Sequence, residues 1–178
     1  MFESTDFIPT ESDRAELARE RFLTSHRAIA ACSREFTVLA QHVAERASAL
    51  RHELLIEDEA DIRLTPERCI IQVGPVALTI AWLRGPLDSL TDGRLLIIAW
   101  HGTIARRRFS ELPVRRSAAP AAQTAVSISE EVYLASAENE LTWAWQSEAD
   151  PSIRYNAMTL AARTVDRLRE AWSMRAAS

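Results

Sequence analysis

The class of this fold follows from residues 68–83, which read RCIIQVGPVALTIAWL. Apolar residues recur at alternate positions on both sides of Gly74 and Pro75, a dipeptide typical of turns. The pattern predicts two strands, Arg68–Val73 and Val76–Leu83, joined by that turn. In the second strand one set of alternate residues is large and ends at Trp82, whereas the other set is small. One face of the sheet is therefore expected to form a bulky core.

The same period of two continues downstream in three further segments. These predicted strands are Arg94–His101, Glu131–Ala135 and Leu141–Gln146. The first of them is apolar at both parities, so the second face of the sheet is also expected to be partly covered, by a helix, a second copy of the chain or a ligand. Trp143 and Trp145 share the parity of Leu141 and are expected in the core. The five segments together predict an antiparallel meander.

A long helix is predicted before the strands. From Thr10 or Ser12 to about Glu53 the chain has no Gly or Pro and is rich in Ala, Leu, Arg and Glu. Its apolar residues recur every seven positions and form one seam: Phe22, Ile29, Phe36, Val43 and Leu50. A single helix of this length would extend roughly 60 Å. We therefore expect the helix either to be interrupted near residues 31–33 or to extend beyond the domain and contact a partner.

A second helix is predicted to follow the strands. Asp150 and Pro151 are expected to be its N-cap and its first residue. One apolar stripe, of the kind that packs against a sheet, runs along it. The stripe consists of Met158, Ala161, Val165, Leu168 and Trp172.

These elements predict a single α+β domain over residues 1–178, in the order α-β-β-β-β-β-α. An antiparallel sheet of about five strands is expected to be covered on one face by the long N-terminal helix and the C-terminal helix. Residues 1–10 are expected to be flexible, and residues 103–129 to form a long loop that is first basic and then rich in Ala and Pro. The competing arrangement is a curved half-barrel around the C-terminal helix, with an apolar cup lined by tryptophans.

The composition excludes several kinds of chemistry. All 21 basic residues are Arg, and the absence of Lys excludes a Walker-A loop, a Schiff-base enzyme and a serine–lysine nucleophile pair. The four glycines are too far apart for a dinucleotide-binding loop. The net charge of −4 argues against nucleic acid or an anionic membrane as the partner. Two isolated cysteines and an N-terminus without an apolar signal segment favour a cytoplasmic protein.

Two groups of residues are candidates for binding. The first is a basic segment around an aromatic residue, which suits an acidic partner surface: Arg106, Arg107, Arg108, Phe109, Arg115 and Arg116. The alternative role of this segment is to neutralise the acidic stretch 130–150 of its own chain or of a second copy. The second group is Trp100 and His101, because a bulge at Gly102 would turn the histidine ring into a cavity.

No catalytic residue, metal site or cofactor is assigned from the sequence, because no nucleophile, zinc or calcium motif is present. We therefore expect a non-catalytic interaction module with a protein partner, in the first place itself, so that the protein is a homodimer. The contact would use the seam of the long helix or the second face of the sheet. The alternative is a carrier or an enzyme for a small apolar ligand, with a cavity lined by Trp100 and His101.

Overall fold

The computed structural model describes residues 10–86, 89–104 and 125–176. Its elements in chain order are α1 (Glu11–Leu23), α2 (His26–Glu53), β1 (Asp61–Thr65), β2 (Arg68–Val73), β3 (Val76–Leu83), β4 (Arg94–His101), β5 (Val126–Ala137), β6 (Trp143–Ser147), β7 (Arg154–Tyr155) and α3 (Ala157–Ala176). The strands of the described part form one seven-stranded sheet in the order β1 to β7. Every neighbouring pair is antiparallel. The predicted α+β class with an antiparallel meander is confirmed, although the described residues form seven strands rather than about five.

Helices α2 and α3 pack against each other and against one face of the sheet, called here the helix face. Its large side chains are almost completely buried: Cys69, Ile71, Leu78, Ile80, Trp82, Leu95, Ile97, Tyr133 and Trp145. The two sets of alternate residues in β3 explain this arrangement, because the large set lies under the helices. The half-barrel around the C-terminal helix alone is therefore not the arrangement observed.

The prediction of a single long helix from Thr10 to Glu53 is wrong. The helix is interrupted at Thr24 and Ser25, which separate α1 from α2. The Ser25 hydroxyl accepts a hydrogen bond from the amide of Ala28 at 3.2 Å and donates one to the carbonyl oxygen of Phe22 at 2.6 Å. Ser and Thr side chains favour such caps over helix interiors, since they bond to nearby backbone groups. The break precedes the expected position at residues 31–33 by about two turns.

The apolar seam of α2 lies inside the protein. Phe36, Val43 and Leu50 are each at most 1% exposed and belong to the same core as the helix face of the sheet. Most side chains of α1, by contrast, are exposed, and it joins this core through Phe22 and Leu23 at its C-terminal end. The seam is therefore occupied by the protein's own sheet.

Two of the strands were missed from the sequence. β1 has only two apolar residues among charged and polar ones, and β7 has two residues in all. β5 begins at Val126, so the last four residues of the predicted loop 103–129 are strand. Residues 105–124 of that loop and residues 1–9 lie outside the described part of the chain.

The start of the last helix also differs from the prediction. Asp150 accepts hydrogen bonds from Ser152 in a turn, and β7 follows before α3 begins. The N-cap is Asn156, whose side-chain oxygen accepts from the amide of Thr159 at 2.9 Å. The predicted stripe is confirmed at Ala161, Val165 and Leu168, which are buried. Trp172 is half-buried. The prediction that Met158 belongs to the stripe is wrong, because Met158 is 56% exposed.

Candidate interaction surface

The face of the sheet opposite the helices, called here the open face, has no described helix over it. Its middle is apolar, with half-buried side chains from four neighbouring strands. These are Ile70 on β2, Thr79 on β3, Leu96, Ile98 and Trp100 on β4, and Val132 and Leu134 on β5. On the helix face the neighbouring residues of the same strands are almost fully buried. The sheet therefore has two apolar faces, of which the described helices cover one.

The strand register places these side chains in rows across the sheet. One row contains Ile70, Thr79, Ile98 and Glu130, and the next contains Arg68, Ala81, Leu96 and Val132. In a third row Trp100 lies beside Ala77, and its indole Nε1 donates a hydrogen bond to Thr79 Oγ1 at 3.1 Å. This bond joins the neighbouring strands β4 and β3, and it therefore holds the tryptophan ring along the face.

Charges lie on the two sides of this apolar area. Arg68 on β2 and Glu130 on β5 are both exposed and face the same side of the sheet. Neither of them forms an ion pair with another residue of the described ranges 10–86, 89–104 and 125–176. The open face is therefore positive at its β2 side and negative at its β5 side.

A buried glutamine closes one end of the open face. Gln72 is 9% exposed, and its Nε2 donates to the carbonyl oxygens of Gly74, Val76 and Gly102. Its Oε1 accepts from the amide of Ile104 at 3.0 Å. These bonds connect the turn between β2 and β3 to the segment that follows β4, and so give the face a defined boundary.

Trp100 and His101, which were predicted to line one cavity, lie on opposite faces. Trp100 is on the open face, whereas His101 Nε2 lies 2.6 Å from the carbonyl oxygen of Ala171 in α3. Adjacent strand residues point to opposite sides, and the β-bulge is between Ala99 and Trp100 rather than at Gly102. The structure therefore does not bring the two residues together. The basic segment with Arg106, Arg107, Arg108, Phe109, Arg115 and Arg116 lies outside the described residues.

A polar cluster between β5 and α3 was missed from the sequence. Glu131 Oε1 accepts hydrogen bonds from Arg163 at 2.7 Å and from Arg167 at 3.0 Å, and Oε2 accepts from the Tyr133 hydroxyl at 2.8 Å. Arg163 also lies 5.6 Å from the centre of the Tyr155 ring. The two arginines are four residues apart on α3, so they share one helix face, and this spacing was the available signal. The cluster connects α3 to β5 through hydrogen bonds and ion pairs.

Hydrogen bonding sets the ionisation of this cluster. Burial raises the pKa of Glu131, but the hydrogen bonds from Tyr133, Arg163 and Arg167 together outweigh it, so the pKa lies below the ordinary value of 4.5. Burial and the nearby Glu131 carboxylate raise the pKa of Tyr133 to about 12. The carboxylate is therefore charged and the phenol protonated at neutral pH, as a structural ion pair requires.

A cavity of about 420 Å³ borders the cluster. Its wall includes Tyr133, Ser147, Glu148, Asp150, Ile153, Tyr155 and Arg163. A second cavity of about 370 Å³ shares Tyr155 and Arg163 with it. The carboxylates of Glu148 and Asp150 are bound to Arg94 and Ser152. Glu130 also lines the cavity and has no ion-pair partner among the described residues.

Nucleophilic and metal chemistry find little support in the described residues. Burial raises the pKa of the Cys32 thiol to about 12 and that of Cys69 to about 11, which keeps both in the unreactive thiol form. No group of three or more potential metal ligands is found in the described ranges. None of the described helices is both long and apolar enough to span a membrane.

Comparison with known proteins gave no significant match, whether to family models, to curated proteins or to solved structures.

Proposed function

We propose that this protein is a non-catalytic interaction module that self-associates through the open face of its sheet, with a second copy of the chain as the occupant. The observation that carries the proposal is the apolar area of Ile70, Ile98, Leu96 and Val132, which is half-buried in the middle of the sheet and has no described helix over it. Soluble proteins seldom leave a large contiguous apolar patch without a partner.

The size of the open face supports a protein-sized partner. Four strands spaced about 4.8 Å apart and four residue rows spaced about 6.7 Å apart give about 500 Å² on β2–β5. Two copies would then bury about 1,000 Å² together, which reaches the lower limit for a specific protein interface. A small ligand would leave most of this area uncovered.

The other surfaces considered from the sequence are less suited to this role. The seam of α2 is buried against the protein's own sheet, so it offers no contact to a partner. Trp100 and His101 lie on opposite faces, which removes the geometric basis for a shared ligand cavity. The open face is the surface that keeps apolar side chains within reach of another molecule.

Sedimentation equilibrium of the full chain over the micromolar range tests the proposal, with a dimer as the expected result. Ile98→Glu places a charge in the centre of the face and should give a monomer with an unchanged circular dichroism spectrum. Leu141→Glu is the matched control, because Leu141 is 94% exposed outside the open face; it should remain a dimer.

A wild-type protein that is monomeric at all these concentrations would overturn the proposal. If the wild type is monomeric and Ile98→Glu lowers the melting temperature, another part of the same chain covers the face.

A further inference from the structure

The charges beside the apolar area indicate how two copies would face each other. We infer that the second copy is related to the first by a two-fold axis parallel to the strands, so that Arg68 of each copy pairs with Glu130 of the other. This inference rests on the proposed function, because it concerns the same open face. It names the residues that select the partner and its orientation.

The positions of the two charges in the sheet carry the argument. Arg68 lies on β2 and Glu130 on β5, so they are on opposite sides of the boundary between β3 and β4 and equally far from it. A two-fold axis along that boundary places β2 of one copy over β5 of the other. Glu130 then lies over Ile70 of the second copy, since both belong to the same row.

The remaining distance is within reach of an arginine side chain. Arg68 is one row away from Ile70 on the same strand, which is about 6.7 Å along the sheet. Arg63 lies beside Ile70 on β1, but its charge is already paired, because its Nε lies 3.4 Å from Asp61 Oδ2. A carboxylate arriving over Ile70 would therefore meet the guanidinium group of Arg68.

The other aligned arrangement brings like charges together. In the aligned class of face-to-face packing, two sheets keep their strands within about 30° of each other, which leaves a two-fold axis either along or across the strands. An axis across the strands places each strand over its own copy, so that Arg68 approaches Arg68 and Glu130 approaches Glu130. Such like-charge contacts disfavour a wrong orientation, whereas opposite charges at the rim favour the right one.

Charge exchange tests the orientation. Arg68→Glu and Glu130→Arg should each weaken the dimer about tenfold, because each exposed pair occurs twice in a symmetric dimer and an attraction becomes a repulsion. The double variant Arg68→Glu/Glu130→Arg should return to the wild-type dissociation constant. The losses should shrink at high salt, since exposed charges are screened. Arg34→Glu, on the exposed side of α2, is the matched control and should leave the dimer unchanged.

The outcomes separate this inference from the proposed function. If Ile98→Glu abolishes a wild-type dimer but Arg68→Glu and Glu130→Arg do not weaken it, the orientation is wrong and self-association stands. A double variant weaker than both single variants would also overturn the orientation, because it would show that the two residues do not face each other. If the wild type is monomeric, the proposed function fails and the orientation fails with it.

Discussion

His101 Nε2, at the end of β4, donates a hydrogen bond to the carbonyl oxygen of Ala171 in α3 across 2.6 Å. A carbonyl oxygen can only accept, so the ring nitrogen carries the hydrogen. The bond connects the last residue of a central strand to the last turns of the C-terminal helix. A residue that the sequence suggested as part of a ligand cavity thus joins the sheet to its covering helix.

The loss of this bond should lower the stability of the fold. His101→Ala removes a half-buried donor and is expected to cost about 1 kcal/mol, which corresponds to a fall of about 2–4 °C in the melting temperature. Thermal unfolding followed by circular dichroism measures it. His26→Ala is the control, because His26 is exposed at the start of α2. Equal melting temperatures for the two variants would contradict the structural role.

Removal of the Glu131 carboxylate should destabilise the protein in a pH-dependent manner. Glu131→Gln leaves Arg163 and Arg167 without their shared partner and is expected to cost about 2 kcal/mol at pH 7. The pKa of Glu131 is lower in the folded protein than its ordinary 4.5, so its contribution is complete above that value and is lost as the pH falls through the folded pKa.

Urea unfolding at several pH values checks this prediction. The difference in unfolding free energy between wild type and Glu131→Gln should be largest at neutral pH and should shrink below pH 4.5. The control is Glu45→Gln, in which an exposed carboxylate on α2 is replaced. A difference that grows as the pH falls would show that the carboxylate is not stabilised in the fold.

The hydroxyl of Ser25, which caps α2, should contribute more to the stability of the fold than a serine hydroxyl inside a helix. Ser25→Ala removes the acceptor for the Ala28 amide and is expected to cost about 1 kcal/mol. Ser33→Ala removes a hydroxyl that only donates to the Ile29 carbonyl within α2, and it should be neutral or slightly stabilising. Chemical denaturation of both variants measures the two changes. A larger loss for Ser33→Ala would contradict the assignment of Ser25 as the cap.

Both cysteines should be unreactive in the folded protein. Burial raises the pKa of Cys32 to about 12 and that of Cys69 to about 11, so almost no thiolate is present at pH 8 and reagent access is blocked. Titration with a chromogenic disulfide reagent should detect no thiol in the native protein and two after unfolding. Rapid reaction of either cysteine in the native state would show that the core opens locally.

Much of the sheet could be predicted because its pattern is local. β2, β3 and β4 have the predicted bounds, since their alternation is regular and Gly or Pro lies near their ends. β1 could not be recognised, because its alternation consists of only two apolar residues, Ile62 and Leu64, which follow an acidic stretch. The break at Ser25 depends on a cap whose hydroxyl competes with an otherwise good helical sequence.

The candidate surface was foreseen in part and for a physical reason. The apolar residues at both parities of β4 indicated an apolar second face, and Leu96 and Ile98 lie on it. The expected cover of this face stays a prediction, because none of the described helices lies over it. The pairing of Glu131 with Arg163 depends on where α3 crosses the sheet, and the opposite positions of Arg68 and Glu130 depend on strand register. Neither can be obtained from periodicity within one segment.

The meander also determines the order in which a growing chain can fold. Each strand pairs with the strand made just before it, so the sheet can assemble during synthesis from short hairpins. The helix face, however, needs α3, whose 20 residues follow all seven described strands. Until they emerge from the ribosome, the part of the helix face that α3 covers stays exposed together with the open face, and exposed apolar surface favours aggregation. Chaperones should therefore bind chains that end at Tyr155 and release them once α3 has been translated.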